Sequence, residues 1–169
     1  MGGFFGVTTL GDCVSDLFYG TDYHSHLGTR RGGLAVLGPD GFTRVIHNIE
    51  NDQFRSKFDS DLSGLHGRSG IGVISDTDSQ PLLIQSHLGR YAIVTVGAVK
   101  NADQLILRAY KSRRVHFSEI SGGGVSPTEL VASIIDQEES FEAGIGAVQE
   151  LVQGSCSLLL LTEKGIYAS

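Results

Sequence analysis

Few side chains in this sequence are of types that do chemistry, and their spacing limits what each can do. Cys13 and Cys156 are the two thiols; neither has metal-ligand spacing, and together they could form one disulfide or none. His24 and His26 are two apart on a helical stretch, so they point to different faces and make a poor metal pair. Asp76 and Asp78 sit in "SDTDSQP", which offers a carboxylate pair but reads as a turn with Asx caps. Ser75 and Thr77 are hydroxyl nucleophiles with no base nearby in sequence. "SGGGVSP" (121–127) is Gly-rich ahead of a helix, yet it lacks the second spaced Gly and the Lys-Ser/Thr ending of a phosphate loop. It reads as a flexible loop. Arg30 with Arg31, and Arg113 with Arg114, could form local anion patches, and such pairs are ordinarily solvated surface. No metal site and no cofactor site is expected from these residues.

The elements that must position these groups follow from composition and periodicity. The 169 residues, 40% of them hydrophobic, suit one domain with a sizeable core. A net charge of -6 argues against general binding of nucleic acid or an anionic membrane. No signal segment and no apolar run near ~18 residues is present, which points to a cytoplasmic chain with free thiols. The start "MG" resembles a myristoylation signal, but Gly6 stands where that signal needs Ser or Thr.

Twenty-three glycines and three prolines imply tight turns between short strands. Strand-like runs are 2–9, 32–38, 42–48, 69–75, 80–87, 90–99 and the ending 154–169, the second and third joined by a Pro-Asp-Gly turn. Helical spacing marks 12–28, 51–65, 101–110 capped by Asn101, 126–137 with a capping box opened by Ser126-Pro127, and 141–152. Hairpin-like strands with helices in separate runs argue for an α+β fold of antiparallel sheets covered by helices. The opening "MGGFFG" is unusual because chain starts are ordinarily polar and frayed. Two phenylalanines there imply a buried first strand, expected in the middle of its sheet with Phe4 or Phe5 in the core. The chain stops in an apolar strand, so 1–169 reads as one domain at the N-terminal end of something longer.

In order and spacing these strings resemble the N-terminal class II glutamine amidotransferase domain of the amidophosphoribosyltransferases. That family begins Met-Cys-Gly-Ile-Phe-Gly where this chain has Met1-Gly2-Gly3-Phe4-Phe5-Gly6. "YGTDYHSHLGTRRGGLAV" (19–36) keeps Tyr19, Gly20, His26, Gly28, Gly33, Ala35 and Val36 of the family's first helix and following strand. "GIGVISDTDSQPLLI" (70–84), "AIVTVGAVKNADQL" (92–105) and "VSPTELVASII" (125–135) stand where the family has its Gly-Ile-Gly-His-Val-Arg-Tyr-Ser-Thr, His-Asn-Gly and Ser-Asp-Ser-Glu strings. The resemblance implies a four-layer αββα sandwich of two antiparallel sheets, the Ntn-hydrolase-like architecture. It also implies a glutaminase coupled to phosphoribosylamine formation in purine synthesis, a C-terminal phosphoribosyltransferase-like domain, and a homo-oligomer.

The same resemblance implies that the chemistry is gone. The family's nucleophile is an N-terminal Cys whose own α-amine serves as base, and its position holds Gly2. Leu27 occupies an Arg position; Ser75 stands at the Arg that clamps the glutamine carboxylate, a contact worth about 1.5–3 kcal/mol. Val96 replaces the oxyanion-donating Asn, a loss of about 10²–10³ in rate, with the Gly97 N–H left as a donor. Pro127 replaces the Asp that holds the substrate amine. Losing the nucleophile costs about 10⁶ by itself. Cys13 has no α-amine and cannot substitute, and an engineered knockout would have changed the Cys alone. The expected role is a glutaminase-silent domain of an amidophosphoribosyltransferase-like protein. The alternative is a non-catalytic module, structural or binding a small metabolite less charged than glutamine; a hydrolase using Thr77 or Ser75 is the remote third. Restoring Cys at position 2 is expected to cost no more than about 1 kcal/mol.

Overall fold

Alternating apolar side chains give every long strand two faces to cover, and the chain covers them with a second sheet on one side and helices on the other. The computed structural model describes residues 2–112, 117–118, 120–121 and 124–169. Arg113, Arg114 and the Gly122-Gly123 part of the Gly-rich string lie outside the described residues. In chain order the first half runs β1 (Gly2–Thr8), α1 (Val14–Asp22), β2 (Arg31–Gly38), β3 (Gly41–Asn48), α2 (Phe54–Phe58) and β4 (Ser69–Ser75). The second runs β5 (Leu82–Ser86), β6 (Gly89–Val99), α3 (Ala102–Ser112), the short pair β7 (Ile120–Ser121) and β8 (Gly124–Val125), α4 (Pro127–Ile135), α5 (Phe141–Leu151), β9 (Gly154–Thr162) and β10 (Gly165–Ala168).

Two four-stranded antiparallel sheets result, ordered β1-β4-β2-β3 and β10-β9-β6-β5. Between them lie Ala35, Ile71 and Val73 of one sheet and Ala92, Val94, Leu159 and Leu161 of the other. Their strand neighbours point outward under helices: Leu34, Val36 and Ile74 pack with Leu17 and Phe18 of α1 and Phe54 and Phe58 of α2. On the opposite side Tyr91, Ile93, Leu158 and Leu160 pack with Leu130 and Ile135 of α4 and Val148 of α5. This is the expected four-layer αββα sandwich. Its outer layer is seated closely by glycine: a Cβ on Gly72 of β4 would run into Thr21 and Leu34, and one on Gly70 into Leu17.

Several local expectations change on contact with the structure. The first strand is not central: β1 is an edge strand, and Phe4 and Phe5 are both half-buried. They lie on opposite faces, Phe4 toward the inter-sheet core and Phe5 against Gly20 of α1. Each is therefore covered on one side only. The helix expected over 51–65 is five residues of α2 followed by a 3-10 turn at Leu62–Gly64. Ser and Asp favour turns over helix interiors, so the Asp59-Ser60-Asp61 stretch breaks it. Phe54, Phe58 and Leu65 still reach the core because the turn keeps them on one side. Likewise 12–28 divides into α1 and a 3-10 turn at Ser25–Leu27, with Asp12 Oδ1 accepting from the Val14 N–H at 3.0 Å. The Asn101 side chain ties α3 to the end of α5 instead, donating to the Leu151 carbonyl at 2.8 Å and accepting from the Gln153 N–H at 2.9 Å.

Half-burial lowers what the first strand's aromatics contribute. Phe5→Ala is expected to cost about 1–2 kcal/mol, whereas Leu160→Ala, with its side chain wholly enclosed, costs about 3 kcal/mol. Urea melts of the two variants measure the difference; a Phe5→Ala loss as large as that of Leu160→Ala would contradict the edge placement.

Candidate functional site

Where β1 begins, β4 ends and β6 runs on past β5 while still paired with β9, the two sheets flank a cavity of about 570 Å³. Gly2, Leu27, Ser75, Val96, Gly97 and Pro127 all line it. These six positions come from five separate stretches of chain, and the fold brings them to one place. Gly2 is the register partner of Ser75 across β1 and β4, and Gly97 faces Cys156 across β6 and β9. Leu27 arrives on the 3-10 turn after α1, and Pro127 is the first residue of α4. Thr77, Thr95, Ser155 and Cys156 complete the polar part of the wall; Ile74, Ala98, Val99 and Val131 complete the apolar part. Among the described residues of this wall no side chain carries a charge.

Two glycines here are held by geometry. Gly97 has φ +155° with the Ser155 carbonyl packed where a Cβ would stand. At Gly2 a Cβ would run into the Ile74 carbonyl oxygen, closer than side chains approach a backbone. The expectation that a Cys at position 2 costs little is therefore corrected: the end of β1 has to move to admit it.

Behind the wall stands a polar network that the sequence did not disclose. Asp78, 2% exposed, accepts from Ser126 Oγ at 2.5 Å, Thr77 Oγ1 at 2.8 Å, Gln80 Nε2 at 2.8 Å and the Thr128 N–H at 3.2 Å. Ser126 in turn caps α4, accepting from the Glu129 N–H at 3.3 Å. Gln80 pairs with the backbone of β6 as a strand would: its Oε1 accepts from the Thr95 N–H at 2.7 Å and its Nε2 donates to the Thr95 carbonyl at 3.1 Å. Thr95 Oγ1 and Thr128 Oγ1 share a bond of 2.7 Å. Asp78 is thus a tertiary anchor, and the turn reading of "SDTDSQP" is corrected for it. Asp76 points elsewhere and accepts from the Thr29 N–H at 2.7 Å, so the two carboxylates form no pair.

Electrostatics follow from these partners. Burial pushes the Asp78 carboxyl up, but the hydrogen bonds from Ser126, Thr128, Thr77 and Gln80 outweigh it and hold the group below the ordinary carboxylate value. A carboxylate so occupied is a weak base. Thr77 Oγ1 donates to it, and Ser75 Oγ bonds Thr77 Oγ1 at 3.1 Å while accepting from the Thr77 N–H at 3.2 Å. These hydroxyls are tied into the wall, which is the opposite of an activated nucleophile. Burial raises the Cys156 thiol, and burial with the charges of Asp12 and Asp16 pushes Cys13 up to about 11. Both are poor nucleophiles at neutral pH.

The remaining candidates stay apart from the cavity wall. His24 and His26 bond the backbone carbonyls of Gly20 and Tyr23 at 3.0 and 2.8 Å. Arg30 lies 3.7 Å from Glu50, and Arg31 donates to Ser79 Oγ at 3.0 Å.

Comparison with solved structures places this arrangement. The chain is similar to the glutamine phosphoribosylpyrophosphate amidotransferase from B. subtilis complexed with ADP and GMP, with TM-score 0.79 and 22% identity over 96% of this chain and 35% of that one. It is similar also to the allosteric regulatory enzyme of purine biosynthesis, with TM-score 0.80 and 22% identity over 96% of this chain and 36% of that one. The fold is the glutamine amidotransferase sandwich of those enzymes. The chain spans about a third of the length of each. No protein-family model and no curated protein matches it, and no helix among the described residues is long and apolar enough to cross a membrane.

Asp78→Asn turns an amide N–H₂ toward Ser126 Oγ and the Thr128 N–H, which are both donors, and is expected to cost about 2–4 kcal/mol. The folded carboxyl lies below its unfolded value of about 3.9, so its contribution is complete above that pH and is lost as pH falls through the folded value. Asp136, raised by burial despite the Tyr91 hydroxyl at 2.9 Å, works in the opposite direction. Urea melts from pH 6 down to pH 2 should show the variant's deficit shrinking below about pH 4. A deficit constant with pH would mean that the Asp78 charge is not what holds the network.

Proposed function

We propose that this chain is the amidotransferase-like domain of an amidophosphoribosyltransferase-like protein, and that its cavity does not hydrolyse glutamine. One observation carries the reading: the positions matched to the family's nucleophile, carboxylate clamp, oxyanion donor and amine holder converge on one cavity while none bears the group that chemistry needs. Glutamine is a zwitterion, and burying its carboxylate and ammonium beside Ser75 and Pro127 leaves both charges without a partner among the described residues. With no N-terminal thiol, no covalent acyl intermediate forms. A phosphoribosyltransferase-like partner domain would then draw on free ammonia, and the role in purine synthesis belongs to that whole protein. A second reading, a ligand-binding module on the same fold, is favoured by the uncharged wall.

The test is ammonia release from millimolar glutamine, measured against a buffer blank. The expected result is no turnover, in the wild type and equally in Gly2→Cys, since restoring the thiol leaves the clamp missing. Gly2→Cys should also lower stability by about 1–2 kcal/mol because β1 must shift away from the Ile74 carbonyl. Glutamine hydrolysis by Gly2→Cys alone would show an intact substrate pocket and sink the reading.

A further inference from the structure

We propose that the cavity between the sheets receives a small uncharged molecule, one with an apolar body and a carbonyl or hydroxyl oxygen, and excludes amino acids. This rests on the glutaminase-silent reading and specifies what that site takes. At about 570 Å³ the cavity falls within the ~300–1,000 Å³ of small-molecule sites. Its apolar wall is Leu27, Ile74, Val96, Val99, Pro127 and Val131. Its polar groups are hydroxyls already engaged with the protein. Thr77 gives its proton to Asp78, and Thr95 shares one with Thr128. Ser155 differs: its Oγ accepts from the Ala98 N–H at 3.2 Å, which leaves its own O–H to donate to a ligand oxygen. The buried charge nearby, Asp78, is turned into the protein and satisfied by four donors, so it offers a ligand cation no direct contact. A carboxylate or ammonium that seats against the buried end of this space, at Ile74, Thr95 and Val131, loses water and gains no counter-ion among the described residues, whereas an amide or alcohol loses little.

Cys156 lines the same wall and reports on what enters. Iodoacetamide and iodoacetate alkylate a thiol alike and are nearly equal in size, but only the second carries a charge. The folded protein is treated with each at about 0.15 M salt, where surface charges more than ~8 Å away are screened. Peptide mass mapping separates Cys156 from the fully enclosed Cys13. The expected result is an iodoacetamide-to-iodoacetate rate ratio at Cys156 at least tenfold above that of the same residue in the urea-unfolded chain. Butyramide should slow iodoacetamide at least threefold, and glutamine at equal concentration should not. Leu27→Arg, which adds a cation at the half-exposed edge of the wall, should bring the ratio back toward the unfolded value. A folded ratio equal to the unfolded one, failure of iodoacetamide to reach Cys156, no protection by butyramide, or protection by glutamine would each overturn the proposal. Glutamine protection without ammonia release would overturn this inference alone. Ammonia release would overturn the reading beneath it.

Discussion

A carboxylate shut away from water must be satisfied entirely by protein, and the way Asp78 is satisfied holds three segments in register. Its donors come from its own loop, from the cap of α4 and from the first turn of that helix. The same loop sends the Gln80 amide to the backbone of Thr95, extending β6 sideways by one residue's worth of strand bonding. The loop can lie this close because β2 has Gly33 beneath it, where a Cβ would collide with the Gln80 carbonyl and Pro81. One acidic side chain at the positive end of a helix thus fixes the spacing of β4, β6 and α4, and that spacing is the width of the cavity. Among the described residues no buried side-chain polar atom lacks a partner.

What could be read from the chain divides along the distance over which each feature is determined. Strands such as 69–75 and the helix starting at Ser126 are set by neighbours within a few residues, and they form where periodicity and capping indicate. The order of strands is not local. β1 pairs with β4 some seventy residues away, and nothing in "MGGFFG" says whether a second neighbour exists, so an edge strand was indistinguishable from a central one. The network around Asp78 was hidden for the same reason, since "SDTDSQP" satisfies turn chemistry locally while its partners stand 15 and about 50 residues further on. The site positions were visible only through likeness to a family, because Leu27, Val96 and Pro127 have no chemistry of their own to draw attention.

The cavity and the scaffold around it answer to different demands. The walls need glycines where layers touch, at Gly20 under Phe5, Gly33 under the loop and Gly72 under α1, and these bear on packing whatever the cavity does. The lining needs charged and nucleophilic groups only when a zwitterion has to be held and attacked. Here the packing requirements are met while the lining is hydroxyl, a thiol of raised pKa and hydrocarbon. Such a lining leaves the fold no charge to desolvate there.

The edge position of β1 has a kinetic meaning. A strand bonded along one side is released by breaking a single ladder, whereas β4, β2, β6 and β9 must each break two. Opening free energies within one domain range from near zero at such margins to the full unfolding value at the centre. At Gly2 the cavity wall is therefore bonded along one side only, while its opposite wall on β6 and β9 belongs to strands with two neighbours in their sheet.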